Sequence, residues 1–173
     1  MPERQRLFFA LWPEDALQES IHTSARQLIA KPGKCVPAHN LHLTLAFLGA
    51  SSSEQRGCYE QVAAGIQAPA FALTLDIIGH WRVPRILWLG PSLSPDPLLV
   101  LVRSLNEALA RCGFVPDARP FQAHMTLARK VMQPPPVTRI DPVDWPVRSF
   151  VLAESVAEPA GVRYQVLCRW PLR

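Results

Sequence analysis

Apolar and polar positions alternate along this chain in short blocks of two kinds. Arg6-Leu7-Phe8-Phe9-Ala10-Leu11-Trp12 is a compact aromatic and aliphatic run that predicts a buried strand. Pro13 suits a first helical position, and Leu17, Ile21, Ala25, Leu28 and Ile29 then recur at helical spacing, with Lys31-Pro32-Gly33-Lys34 as a stop. Leu41–Leu48 predicts a second strand ending at Gly49. Ser51 and Glu54 have the spacing of a capping box for a helix through Cys58, Val62 and Ile66, and Phe71–Ile78 predicts a third strand. Arg85–Leu89 is again an arginine followed by an apolar strand. Pro95-Asp96-Pro97 opens a helix with Leu98, Leu101, Leu105 and Leu109 on one face and Gly113 as its stop, and Phe121–Arg129 predicts a strand. Pro134-Pro135-Pro136 and Asp141–Pro146 predict loops, and Ser149–Glu154 with Arg163–Leu167 a closing pair of strands.

The order strand, helix, loop, strand thus occurs twice. The two opening arginines, Arg6 and Arg85, are 79 positions apart, and His42 and His124 in the closing strands are 82 apart. This predicts one domain over residues 1–173 with internal repeat units at roughly 6–49 and 85–129.

Both closing strands carry the same pattern, His-x-Thr-apolar: His42-Leu43-Thr44-Leu45 and His124-Met125-Thr126-Leu127. In a strand, residues i and i+2 share a face, so each imidazole is presented beside a hydroxyl while the intervening leucine or methionine is buried. Two such pairs facing across a cleft suit phosphodiester chemistry. One imidazole takes a proton from the attacking water and the other gives one to the leaving oxygen. The threonine hydroxyls donate hydrogen bonds to the non-bridging oxygens.

Composition narrows the partners. The chain has 173 residues, 49% of them apolar and 18% charged, with 18 prolines marking many short elements. The net charge of +4 suits an anionic partner, including nucleic acid. His, Cys, Asp and Glu form no group with metal-ligand spacing, and His39, three residues before His42, points to the opposite face of an extended chain; the reaction is expected to need neither metal nor cofactor. His22 is expected to be solvated on the polar side of its helix, and His80 to end a strand without a site role. Cys35, Cys58, Cys112 and Cys168 are widely spaced and are expected to be reduced thiols. No apolar run approaches the ~20 residues of a membrane helix. A cytoplasmic protein with no membrane contact and no obligatory protein partner is expected.

Three segments resemble the two-histidine (2H) phosphoesterases, in particular the bacterial RNA 2′,3′-cyclic phosphodiesterases of the 2′-5′ RNA ligase family. They are Arg6–Ala10, Asn40–Gly49 and Arg119–Arg129; Ala123 stands where family members often have proline. The resemblance implies an α+β fold of two pseudo-symmetric lobes, each an antiparallel sheet with outer helices, around a central cleft. It implies hydrolysis of a 2′,3′-cyclic phosphate at an RNA end to a 2′-phosphomonoester, with His42 as proton donor to the leaving 3′ oxygen and His124 as the acceptor that activates water. It also implies the reverse, ATP-independent joining of such an end to a 5′-hydroxyl. Arg129 is expected at the phosphate or base and Phe9 as a base-stacking aromatic. The alternatives are a non-catalytic RNA-binding module and a phosphodiesterase of the same superfamily acting on another cyclic phosphate.

Overall fold

The computed structural model describes residues 4–29, 33–136 and 138–173. In chain order the elements are β1 (Gln5–Leu11), α1 (Asp15–Leu28), β2 (Lys34–Cys35), a 3₁₀ turn (Ala38–Asn40), β3 (Leu43–Ser51), α2 (Ser53–Ala64), β4 (Phe71–Trp81), β5 (Ile86–Gly90), α3 (Asp96–Ala110), β6 (Met125–Arg129), β7 (Arg139–Val147), β8 (Ser149–Glu158) and β9 (Gly161–Pro171). The strands order as β7-β4-β5-β6-β3-β1-β8-β9, with β2 also beside β6, and all pairs are antiparallel. The halves β7-β4-β5-β6 and β3-β1-β8-β9 meet through one residue pair, Leu43 with Met125. The fold is α+β and bilobal, with its chemistry-bearing strands at the seam.

One face of the sheet carries the helices. Leu7, Phe9 and Leu11 of β1 are fully buried in a core with Ile21 and Ala25 of α1, Tyr59 and Ala63 of α2, and Leu98, Leu101, Leu105 and Leu109 of α3. The leucine stripe of α3 faces inward as its spacing predicts. Phe8 and Ala10 point to the opposite face, where they pack with Val151 and Ala153. After α3 the chain closes with Phe114 N–H on the Leu109 carbonyl and Gly113 at φ 79°, a left-handed geometry that glycine adopts without strain.

Several elements differ from the sequence pattern. The capping box is Ser52 with Gln55, one residue on from Ser51 and Glu54. Strand β3 runs on to Ser51, whose buried hydroxyl bonds the Gly49 carbonyl and so does not cap. Strand β4 continues past Ile78 to Trp81. Residues 121–124 are not strand, since β6 gains its first β3 partner only at Met125. The segment Asp141–Pro146 is not loop but the body of β7, which pairs only with β4. An edge strand tolerates prolines because half of its N–H groups need no partner. The final strands pair as expected but extend to a long hairpin, Ser149–Glu158 with Gly161–Pro171. The stop at Lys31-Pro32 lies outside the described residues.

The four cysteines are not all thiols. Cys58 and Cys112 form a disulfide, because α2 packs beside α3 and brings their Cα atoms to 5.9 Å; Cys35 and Cys168 are free. Among the described residues, no helix is long and apolar enough to cross a membrane.

Candidate active site

Strands β3 and β6 run antiparallel through the pair Leu43 and Met125. Extending that register by one residue either way sets His42 across from Thr126 and Thr44 across from His124. The four side chains therefore share one face of the seam, opposite the helices, and all four line one cleft of about 690 Å³. Leu43, Leu45, Met125 and Leu127 are buried on the helix side, as the alternation predicts.

The two imidazoles are held alike. The Nδ1–H of His42 donates to the Asn40 carbonyl at 2.7 Å, and the Nδ1–H of His124 donates to the Gln122 carbonyl at 2.8 Å. In each case the acceptor lies two residues back, so the neutral ring keeps its proton on Nδ1 and leaves Nε2 as an acceptor. On His42 that nitrogen lies 3.1 Å from Thr44 Oγ1, from which it accepts a hydrogen bond.

The surroundings of the two rings differ. His42 sits in an aromatic box: Trp12 stacks nearly parallel on it at 5.4 Å, Phe8 lies at 4.9 Å, and Tyr164 meets it edge-on at 4.9 Å. Burial disfavours the imidazolium and holds the His42 pKa down at about 4; the Asn40 carbonyl opposes this, and the charges of His124 and Arg129 add to it. His124 meets Trp81 at 4.6 Å and Trp88 at 6.4 Å, both edge-on. Burial lowers its pKa as well, against the Gln122 carbonyl.

Among the described residues, three cations line the cleft, Arg6, Lys34 and Arg129, and no carboxylate does. Arg129 thus stands where a phosphate contact is expected, although strand parity alone would turn it away from His124. Phe9 does not line the cleft: it is fully buried on the helix side against Phe150 and Trp170. The aromatics that face the cleft are its neighbour Phe8, Tyr164, and Phe47, which is 56% exposed with the Arg6 guanidinium 5.7 Å from its ring centre.

The other histidines stand apart. His22 is half-buried rather than fully solvated and bonds the Val36 carbonyl at 2.9 Å, tying α1 to the segment after β2. His80 bonds the Val131 carbonyl at 2.9 Å. His39 lines a separate pocket with Trp12 and Asp15. Among the described residues no three of His, Cys, Asp and Glu come together in a group that could hold a metal ion.

Sequence reasoning did not single out two buried polar residues that support the site. Gln18 donates to the Leu41 carbonyl at 2.9 Å, and Asn40 bonds the backbone of β9. Gln18 carried a signal, since it sits on the apolar stripe of α1 three residues before Ile21.

The sequence pattern of the 2′-5′ RNA ligase superfamily matches residues 13–157. The chain is 38% identical to the RNA 2′,3′-cyclic phosphodiesterase of Escherichia coli K12, over 99% of each chain. It is 30% identical to the protein of that name from Archaeoglobus fulgidus, over 94% of this chain and 97% of the other. Among solved structures it resembles Escherichia coli LigT complexed with 3′-AMP, with a TM-score of 0.88 and 38% identity over 98% of this chain and 99% of that one. It also matches a crystal structure described as a phosphoesterase, with a TM-score of 0.92 and 36% identity over 98% and 99% of the two chains.

Proposed function

Since this chain belongs to the 2′-5′ RNA ligase superfamily, we propose that its paired histidines open the 2′,3′-cyclic phosphate at an RNA end. The observation that carries this reading is the convergence of both His-x-Thr pairs on one cleft, each ring with Nδ1 pinned and Nε2 left unprotonated as an acceptor.

The phosphorus lies between the two rings. His124 accepts a proton from water as the water oxygen bonds to phosphorus, and the P–O3′ bond breaks as His42 gives its proton to the departing O3′. The products are a 2′-phosphomonoester and a free 3′-hydroxyl. The direction of transfer is the one the family resemblance implies. A ring whose pKa is held at about 4 is a strong acid once protonated, which suits His42 to donation. Arrival of the phosphate anion stabilises the imidazolium that the free site disfavours. Thr44, Thr126 and Arg129 donate to the non-bridging oxygens as their charge grows. Phe47 offers an exposed ring at the same cleft for the terminal base.

The proton transfers and charge stabilisation are all supplied by side chains, so the proposed reaction needs no metal. The same groups serve ligation: a 5′-hydroxyl attacking in place of water, with the same P–O3′ bond breaking, yields a 2′-5′ bond without ATP, because the strained ring already holds the phosphorus activated.

The test is product analysis on an oligonucleotide ending in a 2′,3′-cyclic phosphate, with excess EDTA. A 2′-phosphomonoester is expected. Binding without turnover, a 3′-phosphomonoester, or turnover abolished by EDTA and restored by a divalent ion would overturn the reading.

A further inference from the structure

Asn40 is a polar residue with only 3% of its surface exposed, at the end of the 3₁₀ turn that leads into His42. Its side chain uses both halves of its amide on strand β9, more than 120 residues away. Nδ2 donates to the Val162 carbonyl at 2.7 Å, and Oδ1 accepts from the Tyr164 N–H at 3.0 Å. Strand β9 is the last in the sheet, paired on its other side to β8, with Ala157 opposite Val162 and Ser155 opposite Tyr164. Asn40 therefore takes backbone groups that an adjoining strand would take. The backbone carbonyl of the same residue accepts the Nδ1–H of His42. Tyr164, whose N–H is bound, is also the residue whose ring meets His42 edge-on.

We propose that Asn40 is a positioning residue for His42. Its amide docks the β9 edge beside the ring, and that docking fixes both the carbonyl that holds Nδ1 and the Tyr164 wall. The hairpin β8–β9 has its own ladder and does not need Asn40 in order to form; what the two extra bonds set is where β9 lies relative to the histidine. No other side chain of this size both donates and accepts in this way: aspartate lacks the donor, and leucine lacks both. In the other lobe the equivalent residue, Gln122, which supplies the carbonyl to His124, is exposed. This accounts for the closer enclosure of His42. The inference rests on the reading of His42 as a reacting group.

Two variants test it, Asn40→Ala and Asn40→Asp. Alanine removes both bonds. Aspartate keeps the size and the acceptor for Tyr164 but sets an oxygen against the Val162 carbonyl. In the folded protein each should lower kcat with little change in KM, by about 10²-fold if the ring is displaced by ~1 Å. Histidine titration followed by NMR gives a readout independent of turnover. In the wild type His42 should titrate far below the usual histidine range, with its neutral form protonated on Nδ1. In both variants its titration should move to higher pH, through water reaching the ring in Asn40→Ala and through the nearby carboxylate, opposing the His124 and Arg129 charges, in Asn40→Asp.

Activity lost only in proportion to folded protein, with kcat per folded molecule and the His42 titration unchanged, would overturn the proposal. So would the Nε2–H tautomer in the wild type, a result available even if neither variant folds. The two readings fail separately. Turnover retained in His42→Ala rejects the role of His42, whereas a silent His42→Ala beside fully active Asn40 variants rejects only the role of Asn40.

Discussion

Leu45 and Leu127 are each the extra residue of a β-bulge, and they stand 82 positions apart, the spacing that separates His42 from His124. In the first strand Phe9 pairs with Ala46 and Ala10 with Thr44, which leaves Leu45 over. In the second Leu87 pairs with Ala128 and Trp88 with Thr126, which leaves Leu127 over. An extra residue reverses the alternation beyond it. Leu45-Ala46 and Leu127-Ala128 are therefore both buried in succession, and the next residues, Phe47 and Arg129, turn onto the cleft face with the histidines. The same device delivers an aromatic ring from one lobe and a cation from the other.

This geometry separates Phe9 from Phe47 by experiment. Phe47→Ala removes an exposed ring and should leave the melting temperature unchanged while weakening oligonucleotide binding by about 1–3 kcal/mol, the usual worth of a base stacked on an aromatic. Phe9→Ala empties a fully buried site and should cost about 3–5 kcal/mol of stability. Thermal melts beside Michaelis parameters check this. A stable Phe9→Ala protein with a raised KM would mean that the ring faces substrate after all.

Gly79 is required by the wall behind His124. A Cβ at that position would clash with the Trp88 ring, which packs on its cross-strand partner and stands with Trp81 against His124. Gly79→Ala must push the indole away. The expected cost is about 1–3 kcal/mol in stability, with a fall in kcat larger than the loss of folded protein explains. A melt and an assay at saturating substrate test both parts; unchanged values in both would show that the sheet opens there freely.

The disulfide joins α2 to the end of α3 and closes a long loop, 54 residues apart in sequence. Reduction, or Cys58→Ser with Cys112→Ser, should destabilise the fold by about 2–4 kcal/mol, while the cleft chemistry persists below the lowered melting temperature. Thiol titration of the unfolded, unreduced protein should find two free thiols, those of Cys35 and Cys168. Four thiols would show that the pair stays reduced.

What the sequence disclosed and what it hid divide along physical lines. The leucines of α3 and the two His-x-Thr pairs are periodic, and the β1 run is continuously apolar; the first reads directly as a buried face, the second as a cleft face backed by a buried one, and the third as a strand buried on both sides. Arg129 was indicated by resemblance but turned the wrong way by parity, and Phe47 was overlooked, because strict alternation does not carry across the bulges at Leu45 and Leu127. The repeated Thr-Leu-Ala in both strands, two apolar residues where alternation wants one, was the available sign. Strand β7 was concealed by Pro142 and Pro146, which an edge tolerates. The Cys58–Cys112 bond and the Asn40 clamp join residues far apart in the chain, so no local pattern could announce them.

The histidine pair makes both rate and stability depend on pH in stated directions. In the free protein both pKa values are lowered, that of His42 to about 4, and the proposed chemistry requires one proton shared between the two rings. The profile of kcat/KM, which reports the free enzyme, should be a bell lying on the acid side of the usual histidine pKa of about 6.5. Bound phosphate favours the imidazolium, so both limbs of the kcat profile should lie at higher pH. For stability the sign is that of a histidine buried neutral. Below the unfolded value of about 6.5 the unfolded chain takes up a proton that the folded site refuses, so stability falls as pH drops through that value, and the loss is complete near the folded value of about 4. The difference amounts to about 3 kcal/mol for His42. His42→Ala should therefore be less acid-sensitive than the wild type as well as inactive. Michaelis parameters and denaturant melts from pH 4 to 8 measure all three. A kcat/KM bell centred above neutrality, or a His42→Ala protein with the acid sensitivity of the wild type, would show that the ring is charged rather than neutral in the resting site.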